Sequence, residues 1–136
     1  MGQQQLLLLV LGIVIVGLAV VVGIQAFGEN QKKANADAMV NDGVRIASDA
    51  QAWRLKPAAF GGGAEKELSD ATLLQLGYQD PYSNLNAGYV LGGSADCLLI
   101  TGTGTGDDVN TVYVKVTGTT PSSIETAVNP TTALAC

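Results

Sequence analysis

Leu6 to Ile24 reads LLLLVLGIVIVGLAVVVGI, an unbroken apolar and glycine run close to the N-terminus, and the first 28 residues hold no charged side chain. At helical rise these nineteen residues span roughly 28 Å, about the thickness of the hydrocarbon core of a bilayer. Three explanations compete for such a segment: a cleaved signal peptide, a plain single-pass anchor, and a helix that begins in a membrane and ends in the core of a polymer. The flanks argue against the first. Gln3, Gln4 and Gln5 precede the run where a signal peptide carries Lys or Arg, and Gln25-Ala26-Phe27-Gly28-Glu29 follows it without a small-x-small cleavage site.

Composition bounds the rest. A chain of 136 residues allows one domain, and once the apolar run is set aside only a small head remains, with little room for a core. The formal charge is −5, with every charged side chain beyond residue 28, which speaks against a nucleic-acid surface and for an acidic, outward-facing head. There is no histidine, so the commonest general base and metal ligand are missing and a catalytic reading starts at a disadvantage. No catalytic, metal or cofactor residue is expected.

Beyond the apolar run the helix is expected to continue over 29–56. This stretch has no proline, and Val40, Val44, Ala47, Ala50 and Trp53 recur every three or four residues as one stripe of an amphipathic helix. Lys33, Asp37, Asp42, Arg45, Asp49 and Arg54 fall on other faces, and Pro57 ends the pattern. The two parts together predict one helix of about 50 residues.

Residues 57–87 then read as a glycine-rich connection, with a short helical candidate over 65–76 and turn chemistry at Gly77-Tyr78-Gln79-Asp80-Pro81-Tyr82. From residue 88 onward the pattern is β. Strands are expected at Tyr89–Leu91, Cys97–Thr101 and Val109–Thr117, with Gly102 to Asp108 as a hairpin loop. In the last strand Val112, Val114 and Val116 alternate with polar residues, giving an apolar face whose natural partner is the helix stripe. The Thr- and Ser-rich stretch 117–132 reads as a solvated loop able to carry O-linked sugar. The expected fold is α+β: a long N-terminal helix, hydrophobic over 1–28 and amphipathic after it, packed on a small antiparallel sheet within a head spanning 29–136.

Cys97 and Cys136 are too few and too far apart for structural zinc. A disulfide between them would tie down the last residue, contribute about 4 kcal/mol by chain entropy, and place the head outside the cytoplasm. Two unpaired thiols in a reducing compartment are the alternative at this level.

A hydrophobic N-terminal helix, an amphipathic continuation, a variable connection, a small antiparallel sheet and a cysteine pair ending at the C-terminus resemble a bacterial type IV pilin over the whole chain. Asp80-Pro81-Tyr82-Ser83-Asn84, with Tyr89 soon after, is similar to the turn of major pseudopilins of type II secretion. The resemblance implies a lollipop-shaped subunit that waits in the inner membrane and is extracted into a helical homo-polymer on the cell surface. It also implies a prepilin peptidase, an assembly platform and an ATPase as partners. Met1 is then expected as the mature, N-methylated end, and Met1, Gln5, Leu6, Gly12, Gly17, Ala19 and Gly23 as assembly residues. Two further functions stay in view, a pseudopilin of short secretion fibres and a monomeric membrane-anchored binding domain.

The chain departs from the family where Gln5 stands in place of the usual Glu, since an amide accepts a hydrogen bond from a neighbour's amine but does not cancel its charge. Val22 likewise replaces a helix-breaking proline, so that Gly12, Gly17 and Gly23 are candidates for local unwinding. Ala19 and Gly23 form a small-xxx-small pair that lets helices approach closely. Gly102-Thr103-Gly104-Thr105-Gly106 lacks the Lys-Ser/Thr of a phosphate loop. Asp107 and Asp108 supply too few oxygens to specify calcium.

Overall fold

The computed structural model describes residues 2–106 and 109–136. Met1, expected as the mature end, and Asp107 and Asp108, weighed for calcium, lie outside the described residues. A single α-helix, α1 (Gly2–Leu55), packs against a five-stranded antiparallel sheet, an α+β architecture. The strands β1 (Tyr82–Ser83), β2 (Ala87–Ser94), β3 (Cys97–Gly104), β4 (Thr111–Val116) and β5 (Ile124–Val128) lie side by side in chain order. Residues 1–33 and 34–136 form separate compact units. The helix passes through Gly12, Gly17 and Gly23 without a break, so the unwinding considered at those glycines is not found.

The head core forms where α1 meets the inner face of the sheet. Alternation places Tyr89, Leu98, Ile100, Val112, Val114 and Val116 inward, all buried. The helix meets them with Met39, Gly43, Ile46, Ala47, Ala50 and Trp53. This stripe is turned slightly from the expected one. Ala47, Ala50 and Trp53 are shared, whereas Val40 and Val44 are only half-buried at its border. Gly43 is the physical cause: a Cβ built there would lie 2.7 Å from Val114 Cγ2, so the backbone itself rests on the sheet and draws Met39 and Ile46 inward with it.

Three other elements differ from expectation. The helical candidate over 65–76 is a 3₁₀ turn at Leu68–Asp70 followed by a turn closed at Gly77. Buried Leu68, Ala71 and Leu73 anchor it, and the Ser69 amide donates to the Ala95 carbonyl, which takes the backbone off a helical path. Gly102 and Gly104 belong to β3 rather than to a loop, because Gly102 lies beneath the Tyr89 ring, where a Cβ would sit 2.9 Å from Cε1. Within 117–132, read as a solvated loop, β5 pairs along β4, with Ile124 opposite Val116 and Val128 opposite Val112.

Candidate functional site

Gln5, Leu6, Gly12, Gly17, Ala19 and Gly23, expected to act in assembly, lie on the first half of α1, and every apolar side chain from Leu6 to Ile24 is exposed. At about 100° per residue, Gln5, Gly12, Ala19 and Gly23 share one face within some 40°, while Gly17 stands about 140° from Gly12. Around Gly12, Gly17 and Gly23 no atom of the described residues comes within 4 Å of an added Cβ, so no contact among them requires glycine there. What the stripe offers is a shallow track along which another backbone can approach.

The head is held to its part of the helix by polar side chains that the sequence pattern placed on outer faces. Asp42 and Asp49, two turns apart, point toward the connection and the sheet. Asp42 Oδ2 accepts from the Tyr89 hydroxyl at 3.0 Å and from Asn84 Nδ2 at 2.8 Å. Asp49 Oδ2 accepts from the Tyr78 hydroxyl. The rings of Tyr78, Tyr82 and Tyr89 lean on one another, with centroids 4.8 and 5.6 Å apart. Burial, and then donation to Asp49, pushes the Tyr78 hydroxyl up to about 12. Burial first, and donation to Asp42 second, pushes Tyr89 up as well. Both phenols therefore stay protonated donors through the physiological range.

Further along the helix, buried Gln51 donates through Nε2 to the Gly118 and Thr120 carbonyls, each at 2.9 Å, and so pins the turn between β4 and β5. Arg54 Nη1 donates to the Gly63 and Ala64 carbonyls, closing the glycine-rich connection over Trp53. Gly63 is required there, because a Cβ would lie 2.4 Å from the indole ring. At the other end of the head a chain of amides runs from Asn129 to Asn110 to Asn35 to the Asn86 carbonyl, joining β5, the approach to β4, the helix and the turn after β1. Apart from the Arg54 bonds, which span 9 and 10 residues, these contacts bridge residues 19 to 75 apart in sequence, which is why local periodicity gave no sign of them.

Cys97 and Cys136 form a disulfide, with Cα atoms 5.6 Å apart. Cys97 opens β3 on the outer face, since Leu98 points inward. Val128 ends β5 level with Gly102 on β3, several residues below Cys97. The last eight residues must therefore climb back across the sheet to reach their partner, and the disulfide fixes that return. Among the described residues, no group of three or more His, Cys, Asp or Glu side chains is placed to hold a metal.

Compared with known proteins, the chain matches no family model, no curated protein and no solved structure. What can be said of its function rests on its own residues and geometry.

Proposed function

We propose that the chain is the structural subunit of a type IV pilus-like filament, polymerising through its N-terminal helix rather than catalysing a reaction. The observation that carries this reading is the exposed apolar run Leu6–Ile24. If that run presents about 1,500 Å² of apolar surface, leaving it in water would cost tens of kcal/mol at about 25 cal/mol per Å². It therefore needs lipid or copies of itself. The small-residue track of Gly12, Ala19 and Gly23 favours helical neighbours, because it admits a second backbone at close range.

On this reading the subunit rests in the inner membrane with its disulfide-closed head outside the cytoplasm. Extraction into the filament exchanges lipid contacts for contacts with neighbouring helices. That exchange needs an assembly platform and an ATPase from other proteins, and a prepilin peptidase before it. Gln5 would register subunits by hydrogen bonding rather than by charge.

The test is to shear cells that express the chain and to image the released material by negative stain. Long fibres containing this subunit support the reading, and short periplasmic fibres would point to a pseudopilin. Recovery of the chain solely as a monomer in the membrane fraction, under every growth condition, would end it. Gly23→Leu should stop fibre growth while membrane insertion persists; normal fibres from that variant would remove the helix-packing role.

A further inference from the structure

Four segments meet where α1 ends. Arg54 and Leu55 come from its last turn, Leu68 from the 3₁₀ turn of the connection, Asp96 from the turn between β2 and β3, and Thr117 to Thr119 from the turn after β4. Between them lies a cavity of about 350 Å³, at the low end of the range of small-molecule sites, about 300–1,000 Å³. Leu68 is buried, whereas Asp96, Thr117 and Thr119 are exposed, so the cavity opens to solvent along its turns.

Its walls are held by contacts made outside it. Gln51 donates to the Gly118 and Thr120 carbonyls, the Ser69 amide donates to the Ala95 carbonyl, and the disulfide anchors Cys97 next to Asp96. Walls fixed in this way need little ordering when a ligand enters. Arg54 spends Nη1 on the Gly63 and Ala64 carbonyls, which leaves Nη2 standing 3.8 Å from Asp96 Oδ1. That gap is too long for a hydrogen bond. It suits a single hydroxyl group between the two, whose oxygen accepts from Nη2 while its proton goes to the carboxylate. The hydroxyls of Thr117 and Thr119 add groups that both donate and accept, and exposed Leu55 adds apolar surface.

The lining narrows the chemistry of the occupant. An anion would face Asp96 and the negative end of the α1 dipole. A metal cation would meet one carboxylate with a guanidinium beside it, far short of the oxygens that calcium needs. We infer that the cavity binds a neutral, hydroxyl-rich ligand of the monosaccharide class, with one ligand hydroxyl bridging Arg54 Nη2 and Asp96 Oδ1. A second hydroxyl meets Thr117 or Thr119, and the C–H face of the ring lies on Leu55. Such a site belongs to the head alone and is independent of polymerisation.

The experiment uses the full chain, disulfide intact, in a detergent without a sugar headgroup. Glucose, galactose, mannose and N-acetylglucosamine are titrated separately while NMR follows the Arg54 side-chain Nε–H and the amides of Asp96, Gly118 and Thr119. At least one sugar should give saturable shifts centred on these groups, with a Kd on the order of 1 mM. Asp96→Ala should weaken that binding roughly tenfold, the effect of losing one hydrogen bond to a charged group. Its melting temperature should stay unchanged, since the Asp96 side chain is 67% exposed. Thr119→Val should weaken binding less, and Glu125→Ala, outside the cavity, should leave it as it is. Three results would each overturn the site: no shift from any of these sugars at about a hundred times that Kd, saturation by inorganic phosphate or calcium ions in their place, or undiminished binding by Asp96→Ala.

Discussion

Replacing Gly43 with alanine tests the packing of helix on sheet at its closest point. On an exposed helical surface this change would stabilise the chain by about 1 kcal/mol, because alanine is the better helix former. At Gly43 the new methyl would lie 2.7 Å from Val114 Cγ2, well inside van der Waals contact. Val114 is fully buried in a central strand, and a β-branched side chain has few other rotamers to adopt. Relief then requires the helix to lift from the sheet, and overpacking of this kind costs about 1–3 kcal/mol. The net expectation is a loss of up to about 2 kcal/mol, or a fall of several degrees in melting temperature for a head of this size. Thermal unfolding of the full chain in detergent, followed by Trp53 fluorescence, would measure it. Gly43→Val should lose more, and Ala52→Gly, at an exposed position of the same helix, should lose only about 1 kcal/mol. A melting temperature that rises for Gly43→Ala would refute the close approach and the choice of helix face that follows from it.

Three further outcomes are expected. Between about pH 10 and 12 the head should lose stability, because an unfolded Tyr78 gives up its proton near its ordinary value of 10.0 while the folded one holds it to about 12. The stabilisation is complete below pH 10 and fades above it; a phenolate absorbance titration should show Tyr78 and Tyr89 ionising late, and their ionising at the ordinary value of 10.0 would contradict this. Converting Cys97 and Cys136 to serine should lower stability by about 2–4 kcal/mol in denaturant titration and expose the last eight residues to protease, whereas an unchanged midpoint would show that the tail is held by other contacts. Ala95→Gly should raise the denaturation midpoint, worth about 1 kcal/mol, because Ala95 adopts φ 52° in the tight turn between β2 and β3, where a Cβ is strained; a lower midpoint would show that this strain is offset locally.

The gap between sequence pattern and structure has the same cause in each element. The alternation at Val112, Val114 and Val116 gave the inner face of β4 directly, since a strand's two faces follow from parity. On the helix, spacings of three and four fit both Val40–Val44–Ala47 and Met39–Gly43–Ile46. Glycine carries no hydrophobic signal, so the face that the backbone itself presses on the sheet was the less visible of the two. The same blindness hid Gly102, which reads as loop by composition but is strand because Tyr89 needs the space above it. Of the edge strands, β1 is only two residues long, and the apolar residues of β5, Ile124, Ala127 and Val128, do not alternate, so neither registered as a pattern.

The sequence by itself determined the uncharged, apolar start of a long helix, the change to β alternation after residue 88 and the α+β class, because each is written in residues near one another in the chain. The tertiary structure alone decided which helical face meets the sheet, which carboxylates receive the buried tyrosine hydroxyls, and which edges stay open. Those outcomes depend on contacts between distant segments, and their free energy exists only once the backbone register has brought the partners within bonding distance.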